Sequence, residues 1–176
     1  QGMRHMTVRR SKSPPRPAIP PSVGGSTIGE AVSPEDLLGP LSELERKYAP
    51  ATLYVVGELG RPLPHPRVSI VGTRHPSDEG LEAAARISAS LVRGGAMIVS
   101  GVAEGIDTAA HRAAIDAGGK TIAVLGTPLS RAYPEKNASL QRLIMTEHLA
   151  ISQFPEGRPV NRKNFVLRNR TMALIS

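Results

Sequence analysis

Three glycine-containing turns hold the residues of this chain best suited to meet a ligand: Gly72-Thr73-Arg74, Ser100-Gly101-Val102-Ala103-Glu104-Gly105 and Gly126-Thr127-Pro128. Each follows a short apolar run rich in β-branched residues. Turns of this kind at the carboxyl end of a strand aim backbone N–H groups at whatever lies above them. With Arg74 at their mouth, the chemistry they suit is anion binding; the alternative is that the glycines serve the tight turns and nothing more. Asp107 and His111 form a second constellation, four residues apart and therefore on one helix face. A metal site needs a third and usually a fourth ligand, and the neighbouring sequence supplies none. The simpler reading is that Asp107 and His111 hold the Gly101–Gly105 loop in shape. No catalytic residue is expected. Ser100 lacks the G-x-S-x-G elbow of a hydrolase, and the absence of cysteine removes both a thiol nucleophile and a thiolate zinc site.

Two nucleotide motifs fail on inspection. Gly118-Gly119-Lys120-Thr121 imitates the end of a P-loop, but Ala114 stands where the upstream glycine is required. It also lies between a helix and a strand, the reverse of the P-loop order. No G-x-G-x-x-G follows any strand, so a dinucleotide cofactor is not expected, nor any other cofactor or metal.

The elements that must position these turns are legible from periodicity. Val68–Val71, Ala96–Ser100, Thr121–Leu125 and Leu149–Phe154 read as strands, the first as an apolar run buried on both faces. A helix starting at Ser77 places positions 81, 84, 85, 88, 91 and 92 on one side and stops at Gly94-Gly95. A second carries Ile106, Ala109, Ala110, Ala113, Ala114 and Ala117 on one face, and a third spans Asn137–Glu147. Strand and helix alternate with connections too long for hairpins, which predicts an α/β fold built on a doubly wound parallel sheet in three layers. Ahead of it, Ser33-Pro34-Glu35 opens a helix expected to run to about Tyr48, and Thr52–Val56 is a short strand. The expected divisions are a disordered leader over 1–33, a helix and strand over 34–66, and the core over 67–176. Residues 1–6 also read as a cloning scar. Four core strands are few for this architecture, and Asn169–Ile175 looks like the start of a further helix, so the fold is expected to be incomplete at its C-terminus.

Composition narrows the function classes. Of 176 residues, 40% are hydrophobic and 21% charged, and the formal net charge is +7. Five of the bases lie in residues 1–17 with no acid, and Arg158, Arg162, Lys163, Arg168 and Arg170 face only Glu156 within 155–170. Basic character is thus confined to a tail and one late segment, the latter read as a loop. Five aromatic residues and no tryptophan argue against a broad stacking platform. No apolar run is long enough for a membrane helix, no signal peptide opens the chain, and a cytoplasmic setting is expected.

Taken together, Val68-Ser-Ile-Val-Gly-Thr-Arg74 and Ser100-Gly-Val-Ala-Glu-Gly-Ile-Asp-Thr-Ala-Ala-His111 resemble the DprA/Smf family of DNA-processing proteins. The resemblance continues through Ile122–Gly126, Tyr133-Pro134 with Asn137 and Leu140, Ile151–Pro155, Asn164-Phe165, Arg168-Asn169-Arg170 and Ala173–Ser176. It implies a Rossmann-like fold that binds single-stranded DNA in natural transformation and recombination, loads RecA and works as a homodimer, with no enzymatic role. Carried over motif by motif, Gly72, Thr73 and Arg74 would meet the DNA backbone. Ser100, Gly101, Gly105 and Gly126 would line the same pocket, Asn164, Arg168, Asn169 and Arg170 would stand beside it, and Asp107 and His111 would support it. The chain departs from the family pattern at Pro128, Ser130 and Gln153. The competing expectation, from the wider superfamily, is a nucleotide-binding sensor of stress or phage defence that holds one free nucleotide in the same turns.

Overall fold

The computed structural model describes residues 28–176. Residues 1–27, most of the expected leader, lie outside it. The expected boundary at 33 is too late: β1 (Glu30–Val32) is already part of the sheet, antiparallel to β2 (Leu53–Gly57). Ser33 then caps α1 (Pro34–Leu38), accepting from the Asp36 amide while Asp36 returns a bond to the Ser33 amide. The expected continuous helix to Tyr48 is two helices. Gly39, at φ 86°, and Pro40 break it, and Ser42 recaps α2 (Glu43–Tyr48) with a second reciprocal pair to Glu45.

The parallel strands are β3 (Arg67–Ser69), β4 (Met97–Ser100), β5 (Thr121–Leu125) and β6 (Leu149–Ser152). Every residue of β4, β5 and β6 is buried, as strands covered on both faces require. β3 differs from expectation: it is the edge strand, its only buried residue is Arg67, and Val71 beyond it is exposed. The sheet order is β1-β2-β6-β5-β4-β3. It is a mixed α/β sheet of six strands, since β2 joins β6 antiparallel, with Val55 opposite Ile151. The short strands ahead of the core therefore extend the four-stranded sheet on its β6 side.

Alternation along the strands sends side chains into two layers. Ile98 packs with Ala110 and Ala114 of α4 (Ile106–Asp116) and with Leu91 and Val92 of α3 (Asp78–Arg93). Ala123, Leu125 and Ala150 meet Leu140 and Ile144 of α5 (Ala138–Glu147) on that same side. Val99, Val124, Leu149 and Ile151 point the other way, against Leu37 of α1 and Met172 and Ile175 of α6 (Arg162–Ile175). After β6 the chain thus crosses back over β5, β4 and β3 on the opposite face, as the doubly wound architecture requires.

α6 begins seven residues before the expected helix at Asn169, so most of the segment read as a basic loop is helical. Asn161 caps it by accepting from the Asn164 amide at 3.2 Å. Its buried side chains are Asn164, Arg168, Thr171, Met172 and Ile175. That spacing is a helical face, but three of the five are polar, so no hydrophobic periodicity announces it.

Candidate nucleic-acid interface

The carboxyl ends of β3, β4 and β5 open onto two adjoining clefts of about 50 and 220 Å³. Arg74, Ala103, Phe165 and Arg168 line both, Gly101 and Glu104 the smaller, Gly72, Asp107 and Asn169 the larger. With Tyr133 and Pro134, residues from four separated stretches of sequence are thereby assembled at one place, and α6 reaches them from the far side of the sheet.

The loop after β4 supplies the backbone of the site. Gly105, at the N-terminus of α4, has φ 76°, and a Cβ there would lie 2.4 Å from the Thr73 carbonyl, so only glycine fits. The Ile106 amide donates to that same carbonyl at 3.3 Å and ties the Thr73 turn to the loop. Val102 is at φ 57°, the left-handed region, where a β-branched residue costs of order 1–3 kcal/mol. Among the described residues the N–H groups of Val102, Glu104 and Gly105 enter no hydrogen bond. At a helix N-terminus, beside a left-handed residue, a concavity of such amides suits an oxyanion; of these three residues Glu104 lines the smaller cleft, whereas Val102 is buried.

Asp107 lies beneath that concavity, 3% exposed, and accepts from the Gly101 amide at 3.1 Å. Burial pushes its carboxyl above the ordinary range; the Arg168 guanidinium and the amides of Ala103, Gly101 and Gly72 act in the opposite direction. Asp107 thus joins the Gly72 and Gly101 turns. His111 does not share the task. It is wholly buried, and its Nδ1 lies 2.7 Å from Thr121 Oγ1, whose own hydrogen goes to the Ile98 carbonyl. The ring therefore donates from Nδ1, and His111 braces β4 and β5 instead of the loop. Burial, more than any neighbour, holds its pKa down at about 3.

Arg168 is placed inside the fold. Its Nη1 donates to the Gly101 and Val124 carbonyls, both at 2.8 Å, and its Nε to Asn169 Oδ1 at 3.1 Å. Burial disfavours its charge, Asp107 favours it, and Arg74 disfavours it. The guanidinium packs so closely on Gly101 that a Cβ there would collide with it. Its Nη2 makes no hydrogen bond among the described residues, and that edge is the part left for the clefts.

The remaining expected residues divide. Thr73 binds the loop through its carbonyl and accepts from the His75 amide through Oγ1. Ser100 is buried, its hydroxyl donating to the Ile70 carbonyl at 2.6 Å, so it fixes β3 to β4 from behind the site. Asn164 is buried too, donating to the Pro159 carbonyl. Gly126 lies under the Phe165 ring and lines neither cleft. Arg170 is exposed and lines neither.

Phe165 and Tyr133 were absent from the expected site. Their ring centroids are 5.3 Å apart, and the Arg74 guanidinium stands 5.8 Å above the Phe165 ring. A small aromatic platform exists after all, built from rings 32 positions apart in sequence. The Tyr133-Pro134 and Asn164-Phe165 dipeptides of the family resemblance were the signals for it. Glu104, at the rim, pairs with Lys136 at 2.7 Å, and this ion pair holds its carboxyl below the ordinary range.

Residues 30–176 match the family model described as DNA recombination-mediator protein A. The chain belongs to that family. It is 41% identical to Protein Smf of Synechocystis over 148 residues, covering 82% of this chain and 37% of that protein. Against the DNA processing protein DprA of Streptococcus pneumoniae it is 42% identical over 125 residues, 71% of this chain and 44% of that one. The chain therefore spans well under half the length of these two relatives. The X-ray structure of the S. pneumoniae protein superimposes with a TM-score of 0.71 at 34% identity, over 84% of this chain and 52% of that one. A Helicobacter pylori DNA processing protein A, described for its single-stranded DNA binding mode, gives 0.65 at 25% identity over 85% and 67%. Family membership and the Rossmann-like α/β fold agree with the resemblance read from the motifs. No helix among the described residues is long and apolar enough to cross a membrane.

Proposed function

We propose that this DNA-processing family member binds single-stranded DNA at the clefts over β3–β5, by phosphate neutralisation and base stacking, with no bond chemistry. The observation that carries the reading is the position of Arg74. Its guanidinium stands over the Phe165 ring, and it lines the same cleft as Gly101, Ala103 and Glu104 of the loop with unpaired amides, so one nucleotide's phosphate and base would each have a partner of matching chemistry. An arginine fork gives a phosphate two hydrogen bonds, and an aromatic face accepts a base of any kind once it is unpaired. The ssDNA binding described for the H. pylori relative supports the assignment. A role in natural transformation and recombination, delivery of the strand to RecA and homodimer formation are further parts of the proposal, and rest on the family resemblance.

Fluorescence anisotropy of a labelled oligothymidine, at several salt concentrations and with mononucleotides as competitors, tests it. The expected result is salt-sensitive binding with a log–log slope of about −0.7 per phosphate neutralised by a cationic side chain, little displaced by mononucleotides. Arg74→Ala should weaken binding about tenfold or more and flatten the slope by about 0.7. An Arg74→Ala chain that bound oligothymidine normally at every salt would sink the reading. Efficient displacement by one mononucleotide would give the site to a nucleotide sensor instead. Co-purification of tagged chain with RecA, scored with and without oligothymidine, tests the partner.

A further inference from the structure

The loop from Gly101 to Gly105 is held in its shape by side chains outside it. Three consecutive carbonyls are each taken by a different donor: Gly101 by Arg168 Nη1 at 2.8 Å, Val102 by Asn137 Nδ2 at 2.9 Å, and Ala103 by Thr108 Oγ1 at 2.6 Å. Asn137 also donates to Thr108 Oγ1 at 2.9 Å. A hydroxyl has one hydrogen, and Thr108 gives it to Ala103, so the direction of the whole chain of bonds is fixed.

Asn137 occupies an unusual place for this work. An asparagine at a helix N-cap ordinarily accepts from amides of its own helix. Asn137 is the N-cap of α5, is 6% exposed, and makes no such bond. Its Nδ2 donates across the fold, to Thr108 of α4 and to the loop before it. The residue it grips, Val102, is the described non-glycine residue in the left-handed region, and its side chain is locked in the core beneath α5. With the carbonyls of 101, 102 and 103 pinned to protein donors, the amides at 102, 104 and 105 have no partner among the described residues, and of these residues Glu104 lines the smaller cleft.

We propose that Asn137 and Thr108 are positioning residues of a phosphate subsite formed by the Gly101–Gly105 backbone: they hold the left-handed turn at Val102 that leaves the loop amides free for a nucleic-acid phosphate. The proposal rests on the DNA-binding reading above and deepens it. It separates two kinds of phosphate partner in one site, the cation Arg74 and the neutral amides, and the two respond differently to salt. Losing a cationic contact weakens binding and lowers the salt slope, whereas misplacing neutral amides weakens binding and leaves the slope where it was.

Thr108→Val deletes the hydroxyl at constant shape, Thr108→Ser keeps it, and Asn137→Ala removes the amide. Each variant is measured by thermal unfolding, by oligothymidine anisotropy against salt, and by titrating inorganic phosphate while following the backbone amide NMR signals of Glu104 and Gly105. The expected result is that Thr108→Val and Asn137→Ala remain folded and bind oligothymidine about tenfold more weakly, at an unchanged slope. They should also lose the phosphate-induced shifts, while Thr108→Ser behaves as the parent. Variants of lower melting temperature with parental affinity and parental phosphate shifts overturn the proposal, since a purely structural role would do that. Equal losses in Thr108→Val and Thr108→Ser overturn it as well. If the parent bound no oligothymidine, the DNA reading would fall, while phosphate shifts at 104 and 105 that vanish in Thr108→Val would still uphold the subsite. A parent with no phosphate shift at those amides ends the proposal.

Discussion

Two positions along an α-helix are about 200° apart around its axis, and that separation divides the labour of Arg168 and Arg170. Arg168 points into the fold, where Gly101 O, Val124 O and the nearby Asp107 carboxylate hold it; Arg170 faces solvent. Charge counting treats them as equals, although one organises the loop and the other lies away from the clefts. Aromatic counting misleads in a similar way. Five scattered rings suggest no broad platform, and a count does not show that two of them, Tyr133 and Phe165, meet at the site, with Arg74 over the Phe165 ring. Because stacking is a contact of neutral faces, Phe165→Ala should weaken oligothymidine binding by roughly 1–3 kcal/mol with the salt slope unchanged. Anisotropy at two salt concentrations reads both quantities, and a slope that fell with the affinity would assign Phe165 a different role.

At the scale of the element, α6 is the part of the molecule that ties the site to the sheet. Its first turns carry Phe165 and Arg168, and its last turn is closed by a residue from the edge strand. Arg67 of β3 donates through Nε to the Ile175 carbonyl and through Nη1 to Leu63 O at 2.7 Å and Pro64 O at 3.1 Å. A buried cation spent wholly on carbonyls works as a C-terminal cap, since the last carbonyls of a helix otherwise lack partners. Arg67→Ala should cost about 2–3 kcal/mol, the sum of lost bonds and carbonyls left unpaired. Hydrogen exchange should show the last turn of α6 opening first, and a variant protected throughout α6 would remove Arg67 from that role.

For the whole molecule, the sharpest handle is pH. His111 is neutral in the native state, with a pKa of about 3, while a histidine in the unfolded chain titrates near its ordinary value of 6.5. Above pH 6.5 neither state binds a proton there, and the full stability is present. As pH falls from 6.5 toward 3 the unfolded chain takes up a proton that the native one refuses, so stability is progressively lost, up to roughly 5 kcal/mol. Urea midpoints measured at about pH 7.5, 6 and 4.5 should fall in that order, and His111→Gln should flatten the trend. A midpoint independent of pH across this window would mean that His111 is accessible to a proton in the native state.

The sequence by itself determined what depends on near neighbours. Complete burial makes β4, β5 and β6 continuous apolar runs, the alanine face of α4 predicts close packing, and the glycine turns follow the strands they end. The strand-ending turns Gly72–Arg74 and Gly101–Gly105 were legible for that reason. What the tertiary structure decided depends on contacts between distant parts of the chain. β1 is three residues long and pairs with β2, which in turn pairs with β6 about a hundred residues on, so nothing local distinguishes β1 from a leader. α6 buries Asn164, Arg168 and Thr171, so its inner face reads as a polar loop until the carbonyls that satisfy those side chains are in place. The same holds for Asn137 and Thr108, 29 positions apart. A hydrogen bond across the fold leaves no periodic trace, because its partners are chosen by packing and not by spacing along the chain.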